Sequence, residues 1–190
     1  MACYIHLPEP QLPGIWGPMR FRPETAPPLS HIAEALLQTD EGISRMEREW
    51  IASYVSYLNG CHFCHTIHGA VTCAHAQQDV DMIDEIEKGP ASELLSDKMK
   101  ALLVIAAQVQ KGGKHVTAEA IEAARQAGAS DLEIHDTVLI AAAFCMFNRY
   151  VDGLHTWAPA DRRLYAEEGK RMAAEGYLRK NKGQRMQQTV

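Results

Sequence analysis

The sequence predicts an all-α helical bundle behind an extended, proline-rich N-terminal arm. Apolar residues recur at helical spacing from residue 29 almost to the end. Capping boxes and glycine stops punctuate that pattern. Period-2 alternation, the mark of a half-buried strand, is absent over any useful length. The chain therefore divides into an arm over residues 1–28 and a single helical domain over residues 29–190, with no repeat at solenoid periods. A chain of 190 residues can bury a core without help from disulfides or metal.

Seven of the nine prolines fall in the first 28 residues, and proline lacks the amide donor a regular helix needs. Ile15, Trp16, Met19 and Phe21 are expected to anchor this arm on the domain or on a neighbouring subunit. Ile32, Leu36 and Leu37 mark a short amphipathic helix. Ser44-x-x-Glu47 is a capping box, followed by the stripe Met46, Trp50, Ile51, Tyr54, Val55 and Leu58. Asn59-Gly60 stops that helix, because glycine accepts the left-handed conformation. A helix from near Cys61 to Ala76 follows, then Val80 to Glu87, closed by Gly89-Pro90. Leu94 to Val109 ends at Gly112-Gly113, and Thr117 caps a helix that stops at Gly128. Ser130-x-x-Glu133 opens a long helix through Leu154, and a polar helix from Asp161 to Arg179 follows Pro159.

Composition narrows the function. Apolar residues make up 46% and charged residues 23%, as in an ordinary soluble protein. A net charge of -5 argues against nucleic acid, since phosphate binding needs a concentrated basic surface. Arg179, Lys180, Lys182 and Arg185 read as a solvated tail. Val138 to Phe147, the longest apolar run, is too short to span a bilayer. The first residues lack the basic start of a signal peptide, so a reducing cytoplasmic location is expected. There a Cys-x-x-Cys pair reads as redox-active or metal-binding.

That pair is Cys61-His62-Phe63-Cys64, followed by His65 and His68. On a helix, Cys61, Cys64, His65 and His68 share one face. The sulfurs then come within bridging range, and His68, one turn past Cys64, can take a thiol proton. The helix N-terminus would lower the pKa of whichever thiol is nearest, which favours Cys61. Across the glycine turn, a carboxylate on the preceding helix can hold and polarise the histidine. Glu49 shares its face with Ala52, Ser53 and Ser56, whose small side chains permit close approach. Glu47 is also near, and periodicity does not choose between them.

The pattern of Glu49, twelve positions before Cys61, then Cys-x-x-Cys-x-x-x-His, preceded by Asn59-Gly60, resembles the alkylhydroperoxidase D / carboxymuconolactone decarboxylase family. The segments Phe21 to Ala26 and Phe144 to Leu154 are similar to its peroxidase-related branch. The resemblance implies an AhpD-like fold and a homo-oligomer, a trimer or hexamer. It implies peroxiredoxin-type reduction of hydroperoxides without bound metal or flavin cofactor. Carried over by position, Cys64 would be the peroxidatic thiol, Cys61 the resolving thiol, and Glu49 and His68 the proton relay. An external dithiol, a thioredoxin-like or lipoyl protein, would restore the pair. Phe63 stands where characterised peroxidase members carry a further histidine, and His65 is the nearby candidate to stand in for it.

Three other readings compete. Cys61, Cys64 and His68, with His65 or Glu49, offer soft ligands to zinc, although one straight helix wraps a tetrahedral ion poorly. The disulfide could instead switch a non-catalytic interaction surface. The family's lactone decarboxylation gives a Cys-x-x-Cys pair no evident task. Cys3, Cys73 and Cys145 read as small buried hydrophobes. His31, His115, His135 and His155 read as surface or satisfied-core residues, and Arg149 with Asp152 as a structural pair.

Overall fold

The computed structural model describes residues 3–178; among them are nine α-helices and no strand. They are α1 (Trp16–Phe21), α2 (Ala26–Leu37), α3 (Arg45–Leu58), α4 (His62–Ala76) and α5 (Ile83–Glu87), then α6 (Asp97–Lys111), α7 (Ala118–Gln126), α8 (Asp131–Gly153) and α9 (Ala166–Glu175). None of these helices is long and apolar enough to cross a membrane. The basic run Arg179, Lys180, Lys182 and Arg185 lies outside the described residues.

The caps form as expected. Ser44 and Ser130 each accept from the amide three residues on, and Glu47 and Glu133 reach back to the cap amides. Each such cap contributes about 1 kcal/mol. Thr117 caps α7. α6 starts at Asp97 instead of Leu94, because Ser96 caps the Met99 amide.

The N-terminal segment departs from expectation in one respect. Residues 3–15 run without regular structure, tied to the loop after α8 by Tyr4 N–H to Leu154 O at 3.0 Å and Gly14 N–H to Trp157 O at 2.9 Å. Within the span expected to be extended, however, α1 forms and α2 begins. Pro18, Pro27 and Pro28 all fall in a first helical turn, where the amides have no intrahelical partner and proline costs nothing. Ile15 and Trp16 pack inward, whereas Phe21 stays exposed.

The main core lies where α3, α6 and α8 meet, around Trp50, Leu102, Leu103, Ile105, Ile140 and Phe144. Each of these buried side chains contributes about 1.5–3 kcal/mol. Arg48 is wholly buried among them and fully used. It donates to the carbonyls of Ile43 at 3.0 Å, Leu36 at 2.9 Å and Glu41 at 2.5 Å, and to Asp136 at 2.7 Å. It therefore locks the α2–α3 loop onto α8.

A second, smaller cluster joins α4 to α9 and contains Cys61, Phe63, Cys64, Ile67, Tyr165 and Met172. Gly169 permits that approach, since a Cβ there would stand 2.7 Å from the Ala70 backbone. The expected helix through Arg179 is shorter. A 3-10 turn precedes α9, and Gly176, at φ 72°, ends it. The backbone therefore turns Tyr177 inward.

Candidate active site

α3 and α4 form the helical hairpin on which the site is built, and Gly60 closes its turn at φ 72°. Cys61 sits just outside α4 as its N-cap residue, in an extended conformation, and not within the helix as expected. Its carbonyl accepts the His65 amide at 3.0 Å. Cys61 is fully buried and Cys64 nearly so, and both are free thiols.

A hydrogen bond to Cys64 above all, and then burial, push the Cys61 thiol far up. Both effects oppose the pull of the helix terminus, which favoured Cys61 as the more acidic thiol. Asp152 also lies within hydrogen-bonding reach of Cys61 and raises it further.

The hairpin brings Glu49 to His68. Glu49 Oε2 accepts from His68 Nδ1 at 2.7 Å, and the carboxylate is wholly buried. With Nδ1 protonated, Nε2 is left as the free acceptor of the ring. The choice between the two glutamates is settled by packing, because Glu47 is spent on the capping box with Ser44. Ala52, Ser53 and Ser56, the small residues on the face of Glu49, are fully buried. Phe144 meets the His68 ring edge-on at 4.6 Å, which fixes its plane.

Cys64 and His68 open onto one cavity of about 750 Å³. Trp16 and Met19 of α1, Phe63 and Ile67 of α4, and Phe144 and Phe147 of α8 make its walls largely apolar. Cys61 is not part of that lining. One thiol thus faces the cavity, while the other stands behind it.

No protein-family model and no curated protein matches the chain. Solved structures do. An uncharacterized peroxidase-related protein from Ralstonia eutropha JMP134, described as an alkylhydroperoxidase AhpD core, superposes with a TM-score of 0.72 at 24% identity, covering 84% of this chain and 82% of that one. An uncharacterized peroxidase-related protein from Silicibacter sp. TM1040 gives 0.70 at 22%, covering 80% and 78%. A protein of unknown function from Agrobacterium tumefaciens gives 0.65 at 22%, covering 78% and 99%. The fold is AhpD-like.

Other sequence expectations meet the AhpD-like fold unevenly. His65 does not share the reactive face. Its Nδ1 lies 3.0 Å from Ser53 Oγ and its Nε2 lies 3.2 Å from Glu87, so it braces α4 against α3 and α5. Next to Cys64 in the sequence, His65 stands about 100° round α4 from it and so faces α3 and α5 instead of the cavity. His62 turns outward to the Pro159 carbonyl at 2.8 Å, and Phe63 packs on Trp16 and Tyr165. The zinc set is accordingly not assembled: among the described residues, no three His, Cys, Asp or Glu side chains are placed to hold a metal ion.

Arg149 does not pair with Asp152. It bonds the Cys145 carbonyl of its own helix at 2.8 Å, and Asp152 serves Cys61 instead. Burial holds Cys73 up at about 12, so it stays an inert thiol. Cys145 and Cys3 are only half-buried, unlike the other three cysteines.

Sequence reasoning missed Tyr177. Its hydroxyl reaches Glu49 Oε1 at 2.5 Å and lies 3.2 Å from His68 Nδ1. Gly176 was the available signal: a glycine inside an apparent helix marks a stop.

Proposed function

We propose that this chain is a thiol-dependent hydroperoxidase acting on organic hydroperoxides. The observation that carries the reading is that Cys64, backed by Cys61, opens onto an apolar cavity beside the buried Glu49–His68 pair. His68 accepts the Cys64 proton at Nε2, and Glu49 balances the imidazolium that forms. The thiolate attacks the terminal peroxide oxygen. The S–O bond forms as the O–O bond breaks, the sulfur becoming a sulfenic acid and the peroxide an alkoxide. His68 returns the proton, and the alcohol leaves.

Cys61 then attacks the Cys64 sulfur. Its proton joins the departing hydroxide as water, and a disulfide remains. An external dithiol reduces it. The apolar walls favour hydroperoxides with a hydrocarbon body over hydrogen peroxide. The peroxidase-related descriptions of the structural neighbours support the same class of reaction. The test is turnover with cumene hydroperoxide and a dithiol donor such as dihydrolipoamide. Catalytic consumption that Cys64→Ser abolishes supports the reading, and stoichiometric or absent consumption rejects it.

A further inference from the structure

We propose that Tyr177 is the third member of the proton relay, a positioning residue that holds the Glu49 carboxylate and sets the basicity of the Glu49–His68 pair. The inference rests on the hydroperoxidase reading for its role in turnover, but its effect on His68 can be measured without turnover.

The geometry is specific. Glu49 is wholly buried, and its two carboxylate oxygens have one donor each. His68 Nδ1 serves Oε2 at 2.7 Å, and the Tyr177 hydroxyl serves Oε1 at 2.5 Å. The tyrosine ring stacks on the His68 ring with centroids 5.9 Å apart and planes 16° apart. Tyr177 is itself held in place. Its amide donates to Glu34 Oε2 on α2 at 2.6 Å, and Gly176 makes the turn before it at φ 72°. A side chain at 176 would collide with that carboxylate, its Cβ standing 2.6 Å from Glu34 Oε2. A surface tyrosine would not need this fixation. Phe63 contributes no polar atom to the relay, so the second donor comes from the chain segment after α9 instead.

Burial and the Glu49 charge hold the Tyr177 proton on its oxygen, so the hydroxyl stays a donor. A hydrogen bond donated to a carboxylate makes it a weaker base. Glu49 then grips the imidazolium of His68 less firmly. The other ionisable groups that line the cavity, bond Tyr177 or act through Glu49 are Arg20 on α1, His31 and Glu34 on α2, Arg45 on α3, Cys64 and His75 on α4, and Arg171 on α9. Tyr177→Phe leaves all of them in place and keeps the stacked ring. It removes one hydrogen bond to the Glu49 carboxylate, and only the part of that bond's strength that differs between neutral and protonated His68 moves the His68 titration.

The experiment is an NMR titration of histidine-labelled protein, with the His68 signal assigned by His68→Gln. In Tyr177→Phe the His68 midpoint is expected to rise, by roughly a few tenths of a unit. The acid limb of the rate of thiol oxidation by peroxide should move up with it, because His68 must be neutral to accept the thiol proton. A His31 signal that stays in place serves as the internal control. Should Tyr177→Phe not fold, 3-fluorotyrosine incorporation strengthens the donor, and the expected shift is downward. An unmoved midpoint, or one moving against these directions, overturns the relay role of Tyr177. A shifted midpoint in a protein that consumes no peroxide keeps Tyr177 in the relay and removes the hydroperoxidase reading.

Discussion

Glu49→Gln tests the relay through its central member. The substitution keeps the volume but removes the charge and one of two acceptor oxygens. In the native site those oxygens receive His68 Nδ1 at 2.7 Å and the Tyr177 hydroxyl at 2.5 Å. A carboxamide can accept from only one of them and presents its own N–H to the other, so one buried proton loses its partner, at about 1–3 kcal/mol in stability. The imidazolium formed when His68 takes the thiol proton loses its counter-charge, an interaction of about 1.5–3 kcal/mol. At about 1.4 kcal/mol per decade, the oxidation of Cys64 should slow by about ten- to a hundredfold. Stopped-flow loss of free thiol against cumene hydroperoxide gives the rate, and urea unfolding gives the stability. Glu47→Gln is the matched control. It lies in the capping box with Ser44, which a glutamine at that position still completes, so stability and rate should both stay close to wild type. A folded Glu49→Gln protein that reacts within twofold of wild type would refute the reasoning.

Two further predictions concern stability. Arg48→Ala strands three carbonyl acceptors and Asp136 in the core, and urea unfolding should show a loss of about 3–5 kcal/mol; a loss below 1 kcal/mol would contradict the clamp. Burial pulls the His65 and His75 pKa values below the ordinary histidine value of 6.5. The unfolded chain therefore binds the extra protons first, and the stabilisation present above pH 6.5 is lost as the pH falls below it. The urea midpoint should fall from pH 7.5 to pH 5.5, and by less in a His65→Gln, His75→Gln double variant. An equal drop in both proteins would assign the acid sensitivity elsewhere.

The helices were legible because each carries its own local signals. The capping boxes at Ser44 and Ser130 and the stops at Gly60, Gly112 and Gly128 depend on neighbouring residues alone. A carboxylate opposite His68 was legible because one tight turn connects their helices, but the spacing left Glu47 and Glu49 both open and the family resemblance alone favoured Glu49. The rest depended on long-range packing. His65 was misplaced because its partners, Ser53 on α3 and Glu87 on α5, are set by packing and not by spacing along α4. All seven prolines of the arm were read as helix breakers, yet a first turn accommodates Pro18, Pro27 and Pro28. Tyr177 lies 128 residues from Glu49 in the sequence, beyond the reach of any periodicity. Asp152 was given to Arg149 on spacing, whereas the thiol of Cys61 lies beside it across the fold.

The most direct test of the central claim is a peroxide challenge followed by intact and peptide mass spectrometry on wild type and Cys64→Ser. The account predicts that wild type loses two hydrogens as a single Cys61–Cys64 bridge, while Cys64→Ser forms no bridge and leaves the peroxide unconsumed. Thiols that stay reduced under excess peroxide, or a Cys64→Ser protein that still consumes it, would contradict the account.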